Sequence, residues 1–109
     1  MHAFDVLGDP VRRRILELLA DGESPAGEVA DAIRNDFGIS KSAVSQHLRV
    51  LRDSGFVTMR ADRQFRVYAI RGEPFREVDA WLQRYRRFWT QRLDALDTEI
   101  VRKTRERRE

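Results

Sequence analysis

The stretch Ile39-Ser40-Lys41-Ser42-Ala43-Val44-Ser45-Gln46-His47-Leu48-Arg49-Val50-Leu51-Arg52-Asp53-Ser54-Gly55-Phe56-Val57 decides how the chain is read. Ser40 is a helix N-cap and Gly55 a left-handed stop. Between them Val44, Leu48 and Leu51 recur at i, i+4 and i+7, the spacing of one buried stripe on a helix. At about 100° per residue, Ser42, Gln46 and Arg49 lie roughly opposite that stripe, with Lys41, Ser45 and His47 flanking them. The outward face is short, polar and nearly uncharged, and it carries no acid before Asp53. Such a face suits the DNA major groove: Gln pairs bidentately with adenine, Arg with guanine, and Ser adapts to base or phosphate. The first helical N–H groups, at Ser40-Lys41-Ser42, can also receive a phosphate.

Before this stretch, Ser24-Pro25 reads as another helix start, with Val29, Ala30 and Ile33 as its apolar stripe. That helix is expected from Pro25 to about Arg34, where Asn35-Asp36-Phe37-Gly38 breaks it. Two short consecutive helices joined through residues 35–40 form a helix-turn-helix with a slightly long connection. After the second helix, Val57, Met59 and the run Phe65 to Ile70 are rich in β-branched and aromatic residues around the polar Ala61-Asp62-Arg63-Gln64. A β-hairpin over 57–70 follows. Its turn has no Gly or Asn, which argues against a tight two-residue loop. The hairpin makes the motif winged, and its Arg60, Arg63 and Arg66 are placed to grip flanking phosphates or enter the minor groove.

Upstream, Asp9-Pro10 opens a helix with Val11, Ile15, Leu18 and Leu19 on one face, ending near Asp21-Gly22. Phe4, Val6 and Leu7 form a short helical turn before Gly8. Downstream, Pro74 sits in the first turn of a long helix. Phe75, Val78, Leu82, Tyr85, Trp89, Leu93, Leu96 and Ile100 recur along it at spacings of 3, 4, 3, 4, 4, 3 and 4. From Phe75 to Ile100 it would run about 38 Å at 1.5 Å per residue, too far for one small domain to cover. A partner helix is expected, and this stripe with Phe4 and Leu7 is assigned to a symmetric homodimer.

The fold class expected is therefore mainly α with a small β-hairpin: a winged helix-turn-helix with a long C-terminal dimerisation helix. One domain of 109 residues is expected. Its parts are a winged-helix core over 1–72, the dimerisation helix over 73–101, and a charged tail over 102–109 that frays. Composition agrees. The hydrophobic share of 41% supports a modest core, and the charged share of 36% a heavily charged surface. Net charge is −4 over residues 1–40, +4 over 41–66 and +3 over 67–109, so the basic block coincides with the outward helix and the hairpin. With no Cys there is no disulfide, thiolate ligand or thiol nucleophile. The longest apolar run, Val67-Tyr68-Ala69-Ile70, is far short of a membrane span, and no basic leader precedes Phe4, so no membrane partner and a cytoplasmic location are expected.

The stretch from Ile39 to Val57 resembles the recognition helix of the arsenical-resistance-repressor (ArsR) family. The opening Phe4-Asp5-Val6-Leu7-Gly8-Asp9-Pro10-Val11-Arg12-Arg13-Arg14-Ile15-Leu16 resembles that family's first-helix pattern. The resemblance spans roughly residues 3–71. The last helix, with Trp81-Leu82 and Phe88-Trp89, resembles a metal-free branch. The resemblance implies a homodimeric winged-helix repressor on a palindromic operator in double-stranded DNA. Ser42, Ser45, Gln46, His47 and Arg49 stand at the family's DNA-contacting positions, and Arg60 and Arg63 at those of the wing. Metal control is not expected. Where metal-sensing members carry a thiolate pair this chain reads Pro25-Ala26-Gly27-Glu28-Val29, and its last helix has no His. No cofactor is expected, and an unidentified small-molecule effector is left open.

Blander readings stand beside these. His47 borders the apolar stripe and can be a partly packed helix histidine. His2 carries no assigned role. Arg12-Arg13-Arg14 is either a solvated face or a phosphate contact, and Trp81, Tyr85, Phe88 and Trp89 suit packing better than a ligand. A winged helix can instead dock protein, but that would place an apolar patch on the outward face, where Ser, Gln and Arg stand. Catalysis is disfavoured: there is no Cys nucleophile, no His–carboxylate pair at helical spacing and no Gly-rich phosphate loop.

Overall fold

A computed structural model describes residues 2–108, without the side chain of the last of them. Among these residues the order is α1 (Ala3–Leu7), α2 (Pro10–Ala20), β1 (Ser24–Pro25), α3 (Ala26–Phe37), α4 (Lys41–Asp53), β2 (Val57–Asp62), β3 (Phe65–Ile70) and α5 (Glu73–Arg108). The predicted caps set the boundaries. Asp9 Oδ1 accepts from the backbone N–H groups of Val11 at 2.8 Å and Arg12 at 3.2 Å. Pro10 then opens α2 without an N–H to satisfy. Ser40 Oγ accepts from the Ala43 N–H at 3.1 Å. Gly38 (φ 68°) and Gly55 (φ 80°) hold the left-handed conformation that stops α3 and α4, where a Cβ would be strained.

The stripes of α2, α3 and α4 meet in one core. Ile15, Ile33, Val44 and Leu51 are completely buried there, with Val6, Phe56, Val57 and Tyr68 closing it. Each such aliphatic side chain contributes about 1.5–3 kcal/mol relative to exposure. Phe75 and Val78, from the start of α5, and Leu7, from α1, pack partly against the same core. The Phe75 ring stands edge-on to Phe56 at 5.1 Å.

Several expectations are corrected. Ser24-Pro25 does lead into a helix, with Pro25 at the N-cap position of α3 and no side-chain cap from Ser24, but the pair is also an edge strand: Ser24 pairs with Tyr68 and Pro25 with Val67, giving an antiparallel sheet of order β1-β3-β2. Pro25 is tolerated because an edge strand needs only one side of its ladder. Helix α3 runs on through Asn35 and Asp36 to Phe37, so the connection to α4 is Gly38–Ser40, a short turn. The hairpin turn is tight after all. Asp62 pairs with Phe65, leaving Arg63 and Gln64 as a two-residue loop, with Arg63 at φ 57° in the role usually given to Gly or Asn. Helix α5 continues through the charged segment to Arg108.

The arginine triplet, in which Arg13 is exposed and Arg12 and Arg14 are half-buried, is engaged within the chain. Arg12 Nε and Nη2 donate to the carbonyls of Val6 (2.9 Å) and Asp5 (3.1 Å), and Arg13 Nη1 donates to that of Leu7 (2.7 Å). These are last-turn carbonyls of α1, which have no partner within the helix. Arg14 pairs with Asp36 and Glu17, tying α2 to α3. His2 also has work: its Nδ1 accepts from the Phe4 N–H as the N-cap of α1, and its Nε2 meets Glu77.

The chain divides into two units, residues 1–78 and 79–109. The first contains the whole core described above. In the second, Leu82, Tyr85, Trp89, Leu93, Leu96 and Ile100 are 42–61% exposed. No helix among the described residues is long and apolar enough to cross a membrane.

Candidate nucleic-acid interface

Helix α4 is held by its inner stripe: Val44, Leu48 and Leu51 are at most 3% exposed. Its opposite face is thereby fixed toward solvent. Ser42, Gln46 and Arg49 are all exposed, as are Lys41 and Ser45 beside them. The sheet supplies the second wall. Tyr68 anchors β3 to the core, and the exposed residues 60–66 carry Arg60, Arg63 and Arg66 on the wing.

Between α4 and the wing lies a groove formed by two adjoining cavities. One, of about 230 Å³, is lined by Lys41, Ser45, Gln64, Phe65 and Arg66 over a small-residue floor of Ala26, Gly27 and Ala30. The other, of about 330 Å³, is lined by Ser45, Leu48, Arg49, Arg52, Asp53, Arg66 and Tyr68. Lys41, Arg49, Arg52, Arg63 and Arg66 have no ion-pair partner among the described residues. Unpaired cations around a polar groove leave a positive surface facing solvent, to which a polyanion brings its own counter-charge.

Not every predicted residue joins this surface. Arg60 is committed within the chain, with Glu23 at 2.6 Å and Asp62 at 3.5 Å. The hydrogen bond and charge of Glu23 hold its guanidinium above its ordinary pKa. Arg60 thus braces the wing, and it must give up Glu23 to reach a phosphate. His47 is half-buried and lines neither cavity. Its charge acts instead on Asp9. Burial pushes the Asp9 carboxyl up, but the N–H donors of Arg12 and Val11, with the charges of His47 and Arg12, leave it below the usual aspartate value. Arg52 was missed. It follows Lys41, Ser45 and Arg49 at spacings of 4, 4 and 3, the signal that could have placed it on the wing side of α4. Phe65, 51% exposed beside Arg66, was missed as well. Among the described residues no group of three or more His, Asp or Glu side chains could hold a metal ion.

Comparison with known proteins adds the following. Residues 7–60 match a family model described as a helix-turn-helix domain. The transcriptional repressor SdpR of Bacillus subtilis (strain 168) is 31% identical over 81 residues, which is 74% of this chain and 86% of that protein. The crystal structure of an ArsR family transcriptional regulator, RHA00566, superposes with a TM-score of 0.67 at 31% identity, over 81% of this chain and 87% of that one. A homodimeric winged helix-turn-helix DNA-binding domain from Mycobacterium bovis, solved in solution as fragment 1–100, superposes with a TM-score of 0.59 at 30% identity. That match covers 74% of this chain and 71% of the other.

Proposed function

The chain belongs to the ArsR family of winged helix-turn-helix DNA-binding transcriptional regulators, and on that premise we propose that it is a homodimeric repressor of a palindromic operator. Residues 41–54 enter the major groove, with Gln46 and Arg49 reading base edges and Ser42 and Ser45 adjusting to base or phosphate. The wing over 57–70 lies on the flanking backbone through Arg63 and Arg66, while Lys41 and Arg52 hold phosphates beside the helix. Arg60 joins them only if its pair with Glu23 opens. The observation that carries this reading is the exposed Ser42-Gln46-Arg49 face of α4, backed by a fully buried stripe and bordered by unpaired cations.

Dimerisation through the exposed stripe of α5 sets two recognition helices against half-sites about one DNA turn apart. Location in the cytoplasm follows from that role. Light scattering at micromolar concentration, with a footprint over the DNA flanking the gene itself, tests the proposal. The expected result is a dimer protecting two half-sites, with affinity falling by a log–log slope of roughly 0.9 per phosphate contacted as salt rises. A monomer, or a protein that protects no duplex at low salt, would contradict it.

A further inference from the structure

The groove between α4 and the wing contains a slot whose chemistry suits more than a phosphate. The cavity of about 230 Å³ has Ala26, Gly27 and Ala30 of α3 as its floor, Val44 and Leu48 of α4 as its inner wall, and the Phe65 ring on the wing side. Val44 and Leu48 are at most 3% exposed, but Phe65 is 51% exposed. An aromatic face is thus left in water at the end of the hairpin, at a cost that a flat apolar guest against it would recover. Gly27 keeps the floor open. It stands at the second position of α3, where glycine weakens a helix, and its φ is not left-handed. A Cβ there would meet nothing within 4 Å. Neither backbone conformation nor close approach calls for this glycine; what its missing side chain leaves is room.

The exposed lining is polar and positive: Lys41, Ser45, Gln64 and Arg66. Neither cation has an ion-pair partner among the described residues. No acid lines the slot. The acid that lines the groove is Asp53, which belongs to the adjoining cavity with Arg49 and Arg52. An apolar slot beside two free cations selects a guest that is flat and apolar at one end and anionic at the other. A bare phosphate would leave the slot empty, and a neutral ring would leave the cations unmatched. Size narrows the class. Apolar cavities of roughly 150 Å³ already take a benzene ring, so about 230 Å³ holds one ring and its carboxylate.

We propose that this slot binds a small aromatic carboxylate, with its ring between Phe65 and the α3 floor and its carboxylate on Lys41 and Arg66, and that such a ligand releases the protein from DNA. The release rests on the DNA-binding reading above, which gives the same two cations to phosphates; the binding of the acid does not. Benzoate is the probe, with benzamide (the ring without the charge) and acetate (the charge without the ring) as controls. In amide NMR spectra benzoate should saturate with a Kd in the low millimolar range or tighter. The shifted amides should lie in residues 26–30, 41–48 and 64–66. Benzamide and acetate should each bind roughly tenfold more weakly or worse, because each lacks one half of the match. Gly27→Leu, which fills the floor and strengthens the helix, should weaken benzoate by a similar factor. Phe65→Ala, at an exposed position outside the core, should weaken it several-fold. With benzoate at saturation, affinity for the footprinted duplex should fall roughly tenfold or more relative to acetate at equal ionic strength, as two phosphate contacts are lost. Shifts centred elsewhere, equal binding of benzamide, or unchanged benzoate binding in both variants would overturn the site. Unchanged DNA affinity at saturation would overturn the release while the functional reading stands. If the chain binds no duplex, that reading and the release fail together, and the spectra still decide the slot.

Discussion

Helices α4 and α5 carry the same kind of apolar periodicity and end in opposite environments. The stripe of α4 is at most 3% exposed, whereas the stripe of α5 beyond Asp79 is 42–61% exposed. Helix α4 meets three other elements of its own chain and is fixed by them. That leaves its polar face fixed toward solvent. The second unit offers no such cover, and six large apolar groups on one side of a helix exceed the scattered exposure normal for a monomer. One stripe specifies the fold, and the other is the surface to which the proposed homodimer assigns its association.

The contrast breaks most readily in the buried stripe. Leu51→Ala should cost about 2–5 kcal/mol of unfolding free energy, because the cavity it leaves is enclosed by rigid neighbours. Leu96→Ala should leave the core of residues 1–78 intact and act on the dimer instead. Denaturant melts of both variants, with sizing of each, measure the difference. Equal loss of fold stability at the two sites would erase it.

Next in size is the cap that positions α2. Asp9→Ala should cost about 0.5–2 kcal/mol. Because folding lowers the Asp9 pKa, its contribution is complete above the ordinary aspartate range. It is lost as the pH falls through the depressed value, below about pH 4. Thermal melts from pH 6 to pH 3 should show the wild type approaching the variant at the acid end.

Much of this was legible in the sequence because it is local. Asp9-Pro10, Ser40 and Gly55 mark helix ends whatever surrounds them, and the α4 stripe identifies its own outward face. What escaped depends on partners far along the chain. Ser24-Pro25, at the entry to α3, pairs as a strand only because β3 lies beside it, 44 residues later at the Ser24–Tyr68 pair. Arg60 has the look of a wing contact until Glu23, 37 residues earlier, takes its guanidinium. The bonds of Arg12 and Arg13 to the end of α1 escaped because a run of cations says nothing of the carbonyls above it. Arg52, by contrast, stands in plain view at helical spacing and needs no distant partner to be found.

The wing supplies the smaller tests. Arg66→Ala should weaken binding to all duplexes alike and lower the salt slope by about one unit. Arg60→Ala should change the slope less, since its charge is already matched by Glu23 and Asp62. Titrations at several salt concentrations compare them, and equal slopes would show that Arg60 leaves Glu23 when DNA arrives. The smallest effect is expected at the turn. Arg63→Gly relieves a left-handed φ worth about 1 kcal/mol and should raise the melting temperature slightly while loosening DNA.

The central claim is that the outward face of α4 reads bases. It is met most directly by the ratio of operator to scrambled-duplex affinity, taken for wild type, Gln46→Ala and Arg49→Ala at one salt concentration. Each substitution should reduce that ratio roughly tenfold or more, in line with about 1–3 kcal/mol per bidentate base contact, while affinity for the scrambled duplex changes far less. A ratio unchanged in both variants would mean that this face, however exposed, does not read the operator.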